Sequence, residues 1–414
     1  MWNPPELMSE DCLYINAWVP NPDQTGVKKP IMIWIYGGGY YSGSSTLDVY
    51  DGRYLAASQN IIVVSMQYRL GMLGFLNLES ELAPGNMGLL DQLLGIRWVQ
   101  DNAEYLYGDK NNVTIFGESA GSVSVGLHLI SPLSRDLFSR AIMQSGSPTG
   151  DWTLMSAENS WLRLNKTVFG GKMNCPRSSH VPTIMKCLLN LPARLLNGFE
   201  GWAPSGPAQF NWLPSVDYYF LVERPIVSME KGNFKKCPLL IGSNANEGSY
   251  FIIYELFPFG FGANFRNRQL NFSIPYKQHK SFLEKAFRFY PQWDTEINQF
   301  GTDAIIYRYT DWRNPDDTSL NLYNLDMAVG DYHFLCPTNK FSQYFVQAGQ
   351  PVYYYLFAQR ASVLSWGEWM GVLHGYEIPF IFGEPLRPGS RYTEDEKRLS
   401  RQMMAMWANF SQTG

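Results

Sequence analysis

Apolar positions early in the chain fall in short runs separated by Gly, Pro and polar residues. "CLYINAWV" (12–19) and "PIMIWIY" (30–36) alternate or run apolar, and "IIVVSMQY" (61–68) has the pattern of a buried strand. A longer stretch, "MGLLDQLLGIRWVQDN" (87–102), reads as a helix. "NVTIF" (112–116) is a short buried strand, and "SVSVGLHLIS" (122–131) continues as a helix rich in small residues. "FSRAIMQSG" (138–146) ends in another strand, with two more at "CPLLIGSN" (237–244) and "PVYYYLFA" (351–358). Strands alternating with helices predict an α/β fold, with a large, mostly parallel sheet carrying helices on both faces. Residues 150–235 and 255–330, rich in Pro and aromatics, read as irregular insertions over one face of a single domain spanning 1–414.

Composition narrows the function. At 414 residues, 45% hydrophobic and 17% charged, the chain can bury a core, and its net charge of -4 argues against nucleic acid as a partner. No run of 18 apolar residues predicts a membrane span, and no signal peptide is visible. Neither end reads as a natural terminus, so a domain incomplete at both ends is expected. Five cysteines fit no closed disulfide set. The sequons at Asn112, Asn165, Asn271 and Asn409 lean toward a secreted protein. Aromatics at 15% fill a core, or line a pocket suited to an apolar or cationic ligand.

The sharpest local signal is Gly117-Glu118-Ser119-Ala120-Gly121, which follows an apolar strand and opens a helix. That is the setting of a nucleophile elbow: the serine sits on a strained turn that only small neighbours permit. The glycine run 37–39, again directly after a strand, offers N–H groups with no side chain in the way, so Gly38, Gly39 and Ala120 are the candidate oxyanion donors. The serine needs a base. His128 lies nine residues along the helix, about 13 Å away at the helical rise. His180 sits in the short 175–187 loop and His279 on a polar helical face, which leaves His333 and His374. His374, in a late loop between apolar segments, fits the chain order serine, acid, histidine. Between them, Glu247 closes the strand "CPLLIGSN" and can orient the imidazole. Together these features predict the α/β-hydrolase fold.

These residues resemble type-B carboxylesterases, and the cholinesterases within them. The resemblance rests on "GESAG", a Glu rather than Asp acid, and "GGG" after an apolar strand. It also rests on "MWNP", "MSEDCLYIN", "APGNMGLLDQ", "YTDW" and "WMGVLHGYEIPFIFG". It implies a secreted or cell-surface synaptic enzyme that hydrolyses choline esters, acetylcholine foremost, through an acyl-enzyme on Ser119, with no cofactor and no metal. By the same resemblance Trp2, Glu118 and Tyr250 bind choline. Trp152, Ala208, Phe210 and Phe251 form the acyl pocket, with Ala208 standing where vertebrate members carry a phenylalanine. Tyr41, Tyr254 and Trp366 line the gorge, and Glu377 with Ser145 forms a polar cluster behind the triad. Cys175 and Cys187 match an internal disulfide, Cys12 and Cys336 lack the partners the family provides, and Cys237 matches no family cysteine. The family's C-terminal region, absent here, implies a homo-oligomer. Two other readings are a general carboxylesterase of the same family, for which Trp2 would have no cation to bind, and a non-catalytic adhesion relative, which typically lacks the serine.

Overall fold

The computed structural model describes residues 8–21, 26–165, 175–197, 210–256, 274–287 and 297–414, with backbone only at 197 and 254–256. The apolar runs form strands where the pattern places them: β1 (Ile15–Trp18), β2 (Lys29–Ile35), β3 (Ile62–Met66), β6 (Gly108–Glu118), β7 (Arg140–Gln144), β8 (Leu239–Asn244) and β9 (Val352–Phe357), while two short strands, β4 (Asn77–Ser80) and β5 (Ala83–Pro84), form where no strand was expected. Seven of them make one sheet in the order β1-β3-β2-β6-β7-β8-β9, and β4 pairs with β5 apart from it. Only β1 runs antiparallel to its neighbour; the other pairings in the sheet are parallel.

Burial follows position in the sheet. All five residues of β3 and all six of β8 are buried, as strands covered on both faces must be. The edge strand β9 exposes Tyr353, Tyr354 and Leu356. The helices around the strand ends and the sheet faces include α1 (Met87–Asn102), α2 (Ala120–Ile130), α3 (Ser249–Leu256), α4 (Thr318–Gly330), α5 (Cys336–Gln347) and α6 (Glu394–Thr413). Every residue of α2 is buried, so its small side chains let it lie directly against the sheet. The helix α6 begins with a capping box, Thr393 accepting from Glu396 N–H while Glu396 accepts from Thr393 N–H.

The stretches expected to be irregular are in good part helical. Helices run over Ala157–Leu164, Val181–Leu188, Pro225–Glu230, Tyr276–Ala286 and Gln299–Arg308 as well as α4. Proline misleads here because Pro182 and Pro225 stand in the first turn, where a missing N–H costs nothing. His279, expected on a polar face, is wholly buried, with Nε2 2.9 Å from the Tyr309 carbonyl. Among the described residues no helix is long and apolar enough to cross a membrane.

Cys175 and Cys187 are bonded across a sequence separation of 12, while Cys12, Cys237 and Cys336 are free. Burial pushes the Cys237 thiol up to about 12, against the pull of Lys235 and Arg140, whereas Cys336 is exposed. The thiolate is the reactive form. Alkylation of the native protein at pH 8 is therefore expected to mark Cys336 and spare Cys237, with the 175 and 187 peptides linked until reduced. Peptide mass spectrometry reads all three. Labelling of native Cys237, or a linked 175–237 pair, would contradict this arrangement.

Candidate active site

Strand β6 ends at Glu118, α2 begins at Ala120, and Ser119 makes the turn between them with φ 57 and ψ -124. Positive φ costs a residue with a Cβ, so this is stored strain at one position. Packing holds it there: Ser119 N–H donates to Gln144 O at 2.8 Å, and Ser119 O accepts from Val123 N–H at 2.9 Å. The Ser119 hydroxyl has no hydrogen-bond partner among the described residues.

After β2 the chain turns through Gly38 (φ 112) and Gly39 (φ 61). The N–H groups of both donate to nothing among the described residues. Ala120 N–H, in the first turn of α2, is one of the four that a helix leaves unpaired. All three candidate donors therefore stand beside Ser119 with their capacity unused. The glycine loop is tied to α2 by Tyr40 and Ser124, whose hydroxyl oxygens lie 3.3 Å apart. Ser124 Oγ also donates to Ala120 O at 2.9 Å.

His374 lies in the loop after β9, and Glu247 in the loop after β8. His374 Nδ1 is 2.5 Å from Glu247 Oε2, and Glu247 Oε1 accepts from Asn244 N–H at 2.6 Å. The other ring nitrogen, Nε2, is 3.1 Å from Glu118 Oε1. Behind them Glu377 accepts from Gln144 at 3.0 Å and Asn244 at 2.7 Å. Ser145 is buried close by in the chain, at φ 54, and its hydroxyl joins no hydrogen bond among the described residues.

Desolvation alone would disfavour the imidazolium. Glu118, then Glu247, outweigh it and hold the His374 pKa up at about 9. Burial likewise pushes the Glu118 carboxyl up to about 8, with the His374 charge pulling the other way. Burial first, and the charge of Glu247 second, also raise Glu377.

These groups open onto one pocket. Its walls include Gly37, Gly38, Gly39, Tyr41, Ser42 and Tyr50, then Glu118, Ser119, Phe210, Tyr250, Phe251 and His374. Phe251 lies 5.1 Å from the His374 ring, Tyr41 5.8 Å from Phe210, and Trp152 5.5 Å from Phe210. Trp152 is buried, its indole N–H on His333 O at 2.8 Å. Trp366 stands outside this lining, its N–H on Tyr376 Oη at 2.6 Å. Trp2, Ala208 and the side chain of Tyr254 lie outside the described residues. Sequence reasoning overlooked Phe334, which lies tilted 4.6 Å from the His374 ring and stacks on Phe251 at 5.1 Å. A second cavity, lined by Phe287, Tyr309, Asp331, Tyr332 and Cys336, offers no comparable serine and histidine. No group of three or more His, Cys, Asp or Glu among the described residues could hold a metal.

The electrostatics give a pH prediction. An imidazole acts as a base only when neutral, so the acidic limb of kcat/KM reports its pKa. Glu118→Gln removes the largest charge that raises it. The limb is expected to move to lower pH, measured on an uncharged ester so that substrate binding stays constant. A limb that stays in place, or moves up, would mean that Glu118 does not couple to the base.

The sequence profile of the Carboxylesterase family matches residues 2–414. Acetylcholinesterases are among the similar curated proteins. The one from Bungarus fasciatus is 44% identical over 419 aligned residues, covering 100% of this chain and 66% of its own length. Those from Electrophorus electricus (43%) and Danio rerio (42%) are likewise matched by 100% of this chain over 68% of theirs. The chain thus spans about two thirds of the length of these relatives. With the profile matched from residue 2 to the end, on a mostly parallel sheet that carries Ser119, Glu247 and His374 beyond its strand ends, the chain belongs to the carboxylesterase family.

Proposed function

We propose that this chain is the catalytic domain of a serine hydrolase that cleaves choline esters, acetylcholine foremost. The observation that carries the reading is the pocket itself, where Ser119, two turned glycines and His374 on Glu247 face the same space as a buried carboxylate, Glu118. The similarity to acetylcholinesterases supports the substrate class.

In the reaction so read, Ser119 Oγ attacks the ester carbonyl and gives its proton to His374 Nε2. Glu247, on Nδ1, holds the ring and stabilises its cation. The tetrahedral oxygen takes its hydrogen bonds from the N–H groups of Gly38, Gly39 and Ala120. Collapse expels choline, which takes the proton from Nε2. Water, deprotonated by the same nitrogen, then attacks the acyl-enzyme and releases acetate and Ser119. Glu118 and the ring of Tyr250 face the pocket where a quaternary ammonium would sit, and we assign Trp2 to the same cation. Phe210 and Phe251 with Trp152 bound the acyl side, and Ala208 is assigned to that wall. A general carboxylesterase would share all but the cation contacts. We further read the enzyme as extracellular and synaptic, and as a homo-oligomer.

Ser119→Ala is expected to lower acetylthiocholine turnover by at least about 10⁴-fold, with the thermal midpoint unchanged. Turnover within tenfold of wild type would remove Ser119 from the nucleophile role. A second measurement separates the two substrate classes. A tryptophan face holds a desolvated cation with roughly 2 kcal/mol. Trp2→Ala should therefore cost acetylthiocholine about thirtyfold in kcat/KM, and an uncharged carbon isostere far less. Equal losses on both substrates would favour the general carboxylesterase.

A further inference from the structure

We propose that Asp326 is a positioning residue. By holding the Asn246 carboxamide in one orientation, it clamps the loop that carries Glu247 to the loop that carries His374. The proposal rests on the reading of Ser119, His374 and Glu247 as a triad.

Asp326 lies on α4, outside both loops, and is 2% exposed. Its Oδ2 accepts from Asn246 Nδ2 at 2.6 Å, and its Oδ1 accepts from Ser249 N–H at 2.7 Å. Asn246 and Ser249 flank Glu247. The other end of the Asn246 amide, Oδ1, accepts from Val372 N–H at 2.9 Å, and Asn246 N–H donates to Val372 O at 3.0 Å. A strand-like bridge pairs Asn246 with Leu373, the residue before His374. Ser249 Oγ adds a bond to Met370 O at 2.8 Å. The two loops are in full contact at this point: a Cβ built on Gly371 would lie 2.1 Å from Asn246 Oδ1.

Hydrogen-bond chemistry explains why a carboxylate stands there. Burial raises the Asp326 carboxyl to about 7, with the hydrogen bonds from Asn246 and Ser249 pulling the other way; in its ionised form it only accepts, so it can take both Ser249 N–H and the amide NH₂. It thereby dictates that the amide oxygen faces Val372 N–H. Turned over, the amide would set oxygen against oxygen at Asp326 and NH₂ against N–H at Val372. Asp326 forms no ion pair among the described residues, so its buried charge finds its partners in these hydrogen bonds. The fixed amide in turn sets the spacing between Glu247 Oε2 and His374 Nδ1, which determines how firmly the imidazolium is held.

The test is a reciprocal exchange in the full chain. In Asp326→Asn, the new amide oxygen is taken by Ser249 N–H. Two NH₂ groups then face each other, or Asn246 turns over and opposes Val372 N–H. Either way the clamp loses a bond. The acetylthiocholine kcat is expected to fall toward about a hundredfold, with KM within about threefold of wild type. The double exchange Asp326→Asn with Asn246→Asp restores every bond. The carboxylate at 246 accepts from Val372 N–H and from the amide at 326, whose oxygen accepts from Ser249 N–H. This double variant is expected to return kcat to within about threefold of wild type. The far-downfield NMR signal of the His374 Nδ1 proton should broaden or shift in the single variant and recover in the double one.

Wild-type kcat in Asp326→Asn, or a double variant no better than the single, would overturn the proposal. If the single variant does not fold, the double variant decides: folded with near wild-type kcat it supports the clamp, and otherwise it sinks it. A wild-type chain that leaves acetylthiocholine intact would instead dismiss the triad reading, while the His374 proton signal still reports on the clamp.

Discussion

The site depends on a contact between backbones at the sheet's centre. Where β6 turns into α2, a Cβ on Gly121 would lie 2.0 Å from the carbonyl oxygen of Ile35 at the end of β2. One on Gly117 would lie 2.6 Å from both that oxygen and the Gly121 backbone. No side chain fits between these strands and the helix, and that closeness forces Ser119 into its positive-φ turn. The same approach brings the glycine loop after β2 alongside the first turn of α2, so the candidate nucleophile and its donors share one constraint. The strain at Ser119 is offset by the buried packing of α2 on the sheet.

The remaining parts arrive from far along the chain but from the same edge of the sheet. β8 and β9 are parallel neighbours, so the loops after them emerge side by side and can bond to each other directly. Asn244 shows how tightly. Its N–H goes to Glu247 Oε1, and its amide goes to Leu373 O and Glu377 Oε2. A parallel sheet places the ends of its strands together, and the chemistry collects there.

This division explains what could be read from the sequence. The elbow, the glycine loop and the strand runs were readable because each is a local steric requirement written within a few residues. Glu247 and His374 were readable through chain order and through elimination among five histidines. Phe334 was not. It reaches His374 from the π-helical turn Asp331–Leu335 between α4 and α5, and no spacing rule marks such a turn. The bond between Asn246 and Asp326 spans 80 residues and joins two ordinary polar side chains, so nothing local announces it. The helices of the Pro-rich stretches were hidden because proline reads as a breaker unless its place in the first turn is known. The start of α6 is written locally, in Thr393 followed three residues later by Glu396.

Three buried carboxylates surround one imidazole, and their partners differ. Glu377 is held by two amides. Glu247 has a backbone N–H and His374 Nδ1. Glu118 accepts no hydrogen bond among the described residues and faces His374 Nε2 alone, at 3.1 Å. It is thus the carboxylate whose charge is least compensated, and burial raises its pKa accordingly. Its charge in turn favours the protonated imidazole, and so works against the bare nitrogen that a base requires. If choline esters are the substrate, a quaternary ammonium entering beside Glu118 offers the carboxylate a different cation. The hold on the imidazolium weakens, and Nε2 becomes free to accept the Ser119 proton. A neutral ester brings no such charge, so if Glu118 bound choline, the same carboxylate would also tie activation of the base to the presence of a cationic substrate.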